Sequence, residues 1–288
     1  MIHLLLASLV WAFSFGLIKD RLGALDPSFV AAARLLVSLL VFLPLLRPRG
    51  LTRKLVLRLV AVGALQYGAM YLAYIAAFRH LKAHEVALFT VTTPIYVTLI
   101  DDLFGRRLNP LNLGTALLAV LGAGIVSYGG LRLDAVALGA TLVQASNLCF
   151  AFGQVAYRRW LGGLPVKDHE VFALPYLGGF AVAGLSSAAL TPWSELALGR
   201  AQLLTLLYLG AVASGLAFFL WNFGARRVEA GALAIFNDLK IPLAVAASLL
   251  VFGEQVGRPA ALALGGIVVL GALALHEWAL RKKSTVNS

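Results

Sequence analysis

The chain has 288 residues, of which 60% are hydrophobic and only 13% charged, with a mean hydropathy of +0.88. That much apolar surface excludes an ordinary water-soluble domain and points to a protein immersed in a bilayer. The 24 Lys and Arg against 13 Asp and Glu give a formal charge of +11. These cations cluster between apolar runs, which reads as membrane topology and excludes a nucleic-acid face. The single cysteine, Cys149, excludes an internal disulfide and any Cys-rich metal site.

A spanning helix needs about 20 mostly apolar residues, and ten windows meet that condition in chain order. The first, 2–18, opens MIHLLLASLVWAFSFGLIKD. It lacks a basic leader, and Trp11 and Phe13 stand where small residues would precede a cleavage site, so it is expected to be a retained span. The second, 28–46, carries Arg34 six residues in, within reach of the interface by snorkelling. In the third, 55–78, Tyr67, Met70, Tyr71 and Tyr74 form an aromatic stripe at helical spacing. The fourth, 84–103, contains Pro94, which lacks the N–H that would bond the carbonyl of Thr90 and so predicts a kink. The fifth is 111–129. The sixth, 135–157, has Gln144, Asn147, Ala151 and Gln154 at three- and four-residue spacing, a polar stripe that should turn from lipid toward neighbouring helices.

The seventh window is 171–190 and the eighth is 202–225, with Trp221 and Asn222 near its end. The ninth, 230–252, holds Asn237, Asp238, Lys240 and Pro242 inside the stretch AIFNDLKIPLAV. Pro242 frees the carbonyl of Asp238, and freed carbonyls at membrane depth are tolerated where they line a wet cavity. The tenth window is 259–280, after which RKKSTVNS, within 281–288, reads as a polar tail. Counting Lys and Arg over alternate loops, with Arg58 at the edge of the third window included, gives 15 on the side of both termini and 7 on the other, so both termini are expected in the cytoplasm of a multi-pass inner (plasma) membrane protein.

ALFTVTTPIYVTLIDDLFGRRLNP, from Ala87, and ALAIFNDLKIPLAVAASLLVFGEQVGRP, from Ala232, share an order of landmarks. Pro94 and Pro242 each precede a Phe-Gly pair by ten residues, and Pro110 and Pro259 each precede a glycine by twelve. The ordered set indicates duplication: residues 1–130 and 131–280 as two five-helix repeats. Five is odd, so the second repeat must insert upside down relative to the first. The expected fold is an all-α membrane protein of ten transmembrane helices in two inverted repeats, the arrangement of secondary transporters with a substrate site near the midplane.

LVWAFSF near the start, AAARLLVSLL in the second window and the repeated Pro to Phe-Gly spacing followed by Glu254 resemble the EamA family of the drug/metabolite transporter (DMT) superfamily. The resemblance implies export or permeation of amino acids and other small metabolites. It aligns Trp11, Arg34 and Glu254 with family positions. Ala12 departs from the usual glycine, and Arg106 stands where the first repeat often has a glutamate.

An ionisable side chain at a helix centre costs roughly 2.5 to 3.5 kcal/mol on insertion scales and is functional by default. The residues therefore predict a substrate site walled by Trp11, Tyr74 and Trp221, with Gln154, Asn222 and Asn237 as polar contacts. Lys240 would anchor an anion, Asp238 lies beside it, and Pro94 and Pro242 supply the kinks. Arg34 and Glu254 are candidates for a charge relay. No H-E-x-x-H, G-x-S-x-G or glycine-rich phosphate loop occurs, so no catalytic residue, metal site or cofactor is expected. The expected function is a secondary transporter exporting a small carboxylate-bearing metabolite, an amino acid or a related carboxylate, by alternating access. A cationic-drug exporter selecting charge through Asp238 is the runner-up, a sugar-nucleotide carrier is weaker, and a polytopic membrane enzyme is disfavoured. The expected partners are the small-molecule substrate and the lipid bilayer, with no nucleic acid.

Overall fold

The computed structural model describes residues 2–106, 133–227, 240–241 and 243–255, with isolated positions between 110 and 278. Every regular element among them is helical. Seven helices are long and apolar enough to cross a bilayer: α1 Ile2–Leu22, α2 Pro27–Leu45, α3 Arg53–Ala77, α4 Ala83–Phe104, α5 Val136–Leu161, α6 Asp168–Leu190 and α7 Arg200–Ala225. They coincide with the first four windows and with the sixth, seventh and eighth. The fifth and tenth windows fall almost wholly outside the described residues, as do Asn237, Asp238, Pro242 and the tail.

Local chemistry sets the helix ends. Asp26 caps α2 by accepting the amides of Ser28 and Phe29 at 3.0 and 3.1 Å, and Pro27 follows where a missing N–H costs nothing. Thr52 caps α3 at the amide of Leu55. Glu85 reaches back to the amide of Lys82 at 2.8 Å, starting α4. Gly163, at φ 75°, takes the left-handed turn after α5 that a side chain would resist.

Two helices change pitch in the middle. α3 passes through a π-helical segment at Ala64–Ala69, and α7 does so at Leu209–Leu216. The two segments are related in sequence: GALQYGAMYLAYIAAFRH from Gly63 and GAVASGLAFFLWNFGARR from Gly210 align without a gap, matching Gly63 to Gly210, Gly68 to Gly215 and Arg79 to Arg226, each 147 positions apart. α3 packs its glycines on α6, where a Cβ on Gly63 would lie 1.8 Å from the carbonyl oxygen of Pro175. α7 packs on α2, where a Cβ on Gly210 would lie 3.0 Å from the carbonyl of Arg34. Such backbone proximity is how helices associate without a hydrophobic driving force between them.

α2 and α6 lie side by side and antiparallel. Thr191, just past the end of α6, donates to Asp26 at the start of α2 at 2.9 Å. At the other ends the amide of Arg47 donates to the carbonyl of Glu170 at 2.8 Å. The polar contacts between helix ends sort into two faces. One holds Asp26, Arg79, Thr191, Lys82 and Glu254. The other holds Arg47, Glu170, Asp101, Arg159, Asp168 and Arg226.

Candidate functional site

A cavity with an apolar wall and a few polar groups, the make-up of small-molecule sites, opens where these helices converge. Its apolar wall is Trp11 and Phe15 of α1, Met70 and Tyr74 of α3, Phe150 of α5 and Phe218 of α7. Trp11 is the hub: its ring centroid lies 4.7 Å from that of Phe218, 5.1 Å from Trp221 and 6.4 Å from Phe150. The indole Nε1 donates to the carbonyl of Ala213, inside the π segment of α7, at 2.9 Å.

Two cations reach this space. Lys240 lines it, with Nζ 5.5 Å from the Trp11 ring centroid, a cation–π geometry. Arg34 is 2% exposed. The reading that placed it near enough to an interface to snorkel is corrected: it turns inward because α2 presents this face to α3 and α7. Its Nε donates to Ser214 at 3.1 Å and its Nη2 to Tyr71 at 3.3 Å, while Tyr71 donates to Ser214 at 2.8 Å. Nη1 has no hydrogen-bond partner. No carboxylate occurs among the described residues that line the cavity.

The remaining wall is built by the break in α4. Thr90–Thr92 is a 3-10 turn, and regular helix resumes at Thr93 and Pro94. Thr90's carbonyl, which Pro94 cannot bond, accepts the Thr93 hydroxyl at 2.7 Å. The carbonyl of Phe89 accepts Asn147 Nδ2 at 2.9 Å and Gln144 Nε2 at 3.3 Å. The polar stripe of α5 is thus the group that satisfies the interrupted backbone, and Asn147, Thr90 and Thr93 remain on the cavity surface.

Of the other expected site residues, Gln154 is buried with Nε2 lacking a hydrogen-bond partner. Asn222 donates to the carbonyl of Phe218 and to the hydroxyl of Tyr67. Trp221 backs Trp11 from behind. None of these three lines the cavity. Asn237 and Asp238 lie outside the described residues. Ser14, Thr93, Ser146, Phe150 and Phe218 line it without having been singled out in the sequence, and Thr90 had been named only for its carbonyl. The TVTTP run before Pro94 was the available signal for the two threonines.

Glu254 differs from a solvated acid at a span end. Its carboxylate accepts the backbone amides of Ala83 and His84 at 2.9 and 3.2 Å, the His84 ring at 2.9 Å, and the hydroxyl of Ser248. Lys82 donates to the carbonyl of Gln255 alongside. Burial pushes this carboxyl up, but the hydrogen bonds from His84, Ser248 and the two amides outweigh it and hold the group at about 2. The end of the ninth window is thereby clasped to the start of α4.

The model of the EamA-like transporter family matches residues 1–128 and 137–276. The chain belongs to the EamA-like transporter family. It is therefore a transporter rather than an enzyme, a multi-span membrane protein acting on a small molecule. This EamA-like chain is 40% identical over 276 residues to a "Biotin transporter" of Salmonella typhimurium, covering 95% of this chain and 92% of the relative. It is 38% identical over 283 residues to a "Probable biotin transporter" of Pseudomonas aeruginosa, covering 97% and 98%. A more distant relative, at 24% identity over 99% of this chain and 96% of its own length, is a "Probable terminal-alkyne amino-acid exporter" of Streptantibioticus cattleyicolor. A solved crystal structure matches with a TM-score of 0.64 at 20% identity over 95% of each chain, a likeness of fold alone.

Proposed function

We propose that this protein carries biotin, or a closely similar carboxylate, across the inner membrane by alternating access, with both termini cytoplasmic. The observation that carries the reading is a cavity lined by two cations, Arg34 and Lys240, with no carboxylate among its described lining. Cationic side chains beside an apolar wall suit an anionic ligand with a hydrocarbon body, and the relatives named as biotin transporters point to biotin, a carboxylate with such a body. The apolar wall around Trp11 accepts its hydrocarbon arm. Lys240 is the anion anchor, Trp11 and Tyr74 the wall, and Pro94 the kink that opens the polar surface.

The carrier works as two five-helix repeats, 1–130 and 131–280, inserted in opposite senses. The antiparallel contact of α2 with α6, the 147-residue correspondence between α3 and α7, and the two stretches of the family match support this reading. Amino-acid export is a second reading, favoured by the Streptantibioticus relative. A cationic-drug exporter is disfavoured by the positive lining.

Purified protein in proteoliposomes should take up labelled biotin saturably, with unlabelled biotin competing and amino acids and quaternary amines not. Lys240→Ala should lose transport while keeping its apparent melting temperature. Normal biotin flux through that variant would refute the anchor; competition by amino acids alone would move the assignment to the second reading.

A further inference from the structure

Six polar side chains of the cavity have a hydrogen-bonding sense set by their chemistry or their partners, while Ser146 and Tyr74, which also line it, can donate or accept. Arg34 and Lys240 can only donate. On α1 and α4 the hydroxyls have already given up their protons: Ser14 donates to the carbonyl of Val10 at 2.8 Å, Thr90 to Ala87 at 2.7 Å and Thr93 to Thr90 at 2.7 Å. A hydroxyl has one proton and two lone pairs, so toward the cavity these three present lone pairs. Asn147 directs its amide nitrogen to the carbonyl of Phe89 and to Thr92 Oγ1, at 2.9 and 3.0 Å. Both its protons have protein acceptors, which leaves its oxygen as the group available to a ligand.

The donors and acceptors come from different elements. Arg34 stands on α2, tied to Tyr71 of α3 and Ser214 of α7. Thr90, Thr93 and Asn147 stand together where the broken α4 meets α5. A ligand with only a carboxylate and hydrocarbon would satisfy the cations and leave the acceptor surface dehydrated against apolar atoms, a cost of the kind that makes hydrogen-bonding sites reject analogues lacking the matching group. An ammonium would meet the acceptors but share the cavity with two side chains of its own sign, Arg34 and Lys240.

We propose that Thr90, Thr93 and Asn147 form an acceptor surface that reads neutral N–H groups on the substrate, so that the site selects carboxylates bearing a ureido- or amide-type N–H. This rests on the biotin reading above and adds which part of the molecule is recognised by which wall.

The test compares three ligands in thermal-shift binding and in competition for labelled biotin: biotin, desthiobiotin, which keeps both the ureido group and the carboxylate, and lipoate, which keeps the carboxylate and valeryl arm but has no N–H. Biotin and desthiobiotin should stabilise the wild type and compete, and lipoate should do neither at matched concentration. Thr93→Val should weaken biotin by about 3- to 10-fold, the value of one net hydrogen bond, whereas Thr93→Ser should bind as the wild type does. The ligand-free melting temperature of both variants checks that the break in α4 is intact; if Thr93→Val does not fold, the lipoate comparison on the wild type decides alone. Lipoate competing as well as desthiobiotin would overturn the acceptor surface while leaving the biotin reading standing. A wild type that binds none of the three would overturn both.

Discussion

Two ion pairs occupy corresponding places and differ in almost every physical respect. Arg79 follows α3 and pairs with Asp26 at the start of α2; Arg226, 147 positions later, follows α7 and pairs with Asp168 at the start of α6. The first pair is long, 3.3 Å, with the arginine 54% exposed. The second is 2.7 Å, with side chains only 17% and 3% exposed. Asp168 also accepts from Tyr157 at 3.0 Å, and Arg226 donates to the carbonyl of Leu161 at 3.1 Å, so the second pair binds the ends of α5, α6 and α7 together. Asp26 instead serves the backbone, capping α2, with Thr191 of α6's end as an added donor. Related sequence positions thus make a buried lock on one face and a helix cap with a loosely attached cation on the other.

The comparison can be broken from its strong side first. Removing one partner of a buried, hydrogen-bonded pair costs roughly 3 to 5 kcal/mol. Asp168→Ala should therefore show the largest fall in apparent melting temperature, since it leaves Arg226 Nη1 and the Tyr157 hydroxyl without their acceptor. A fall no greater than that of Arg79→Gln would remove the distinction between the faces. Asp26→Ala should cost about 1 to 2 kcal/mol through the lost cap, visible as a smaller shift in the same measurement. Arg79→Gln should change stability by no more than about 0.5 kcal/mol and less still at high salt, as exposed pairs do.

The Glu254 clasp on the face of Asp26 and Arg79 sharpens the contrast by its pH dependence. Its hydrogen bonds hold its folded pKa at about 2, below the 4.5 of an ordinary glutamate, so its contribution is fully present above about 4.5 and is lost as pH falls toward 2. The melting-temperature gap between the wild type and Glu254→Gln should be constant from pH 7 to 5 and shrink below that. A gap that does not change on acidification would mean the carboxylate is not held by the amides of Ala83 and His84.

Much of the scaffold was legible in the chain because bilayer insertion depends on length and composition, which a sequence states directly. The seven long helices follow the apolar windows, and Pro94 sits at the pitch change its missing N–H requires. The correspondence between α3 and α7 was also there to be read, in the G-A-x-x-x-G runs at Gly63 and Gly210. The π segments were not, since pitch depends on the neighbouring backbones these glycines admit.

What the sequence by itself determined was the class of molecule and the presence of cations that hydrocarbon cannot hold alone. Only the tertiary structure decided where they go. Arg34 turned inward because α3 and α7 offer Tyr71 and Ser214, and Glu254 became a clasp because the amides at the start of α4 stand within its reach. Trp221 and Asn222 share helix α7 with Phe218, yet only Phe218 reaches the cavity. Apolar content is a sum over residues, whereas a polar side chain takes its role from partners distant in the chain, and no local pattern encodes which partner arrives.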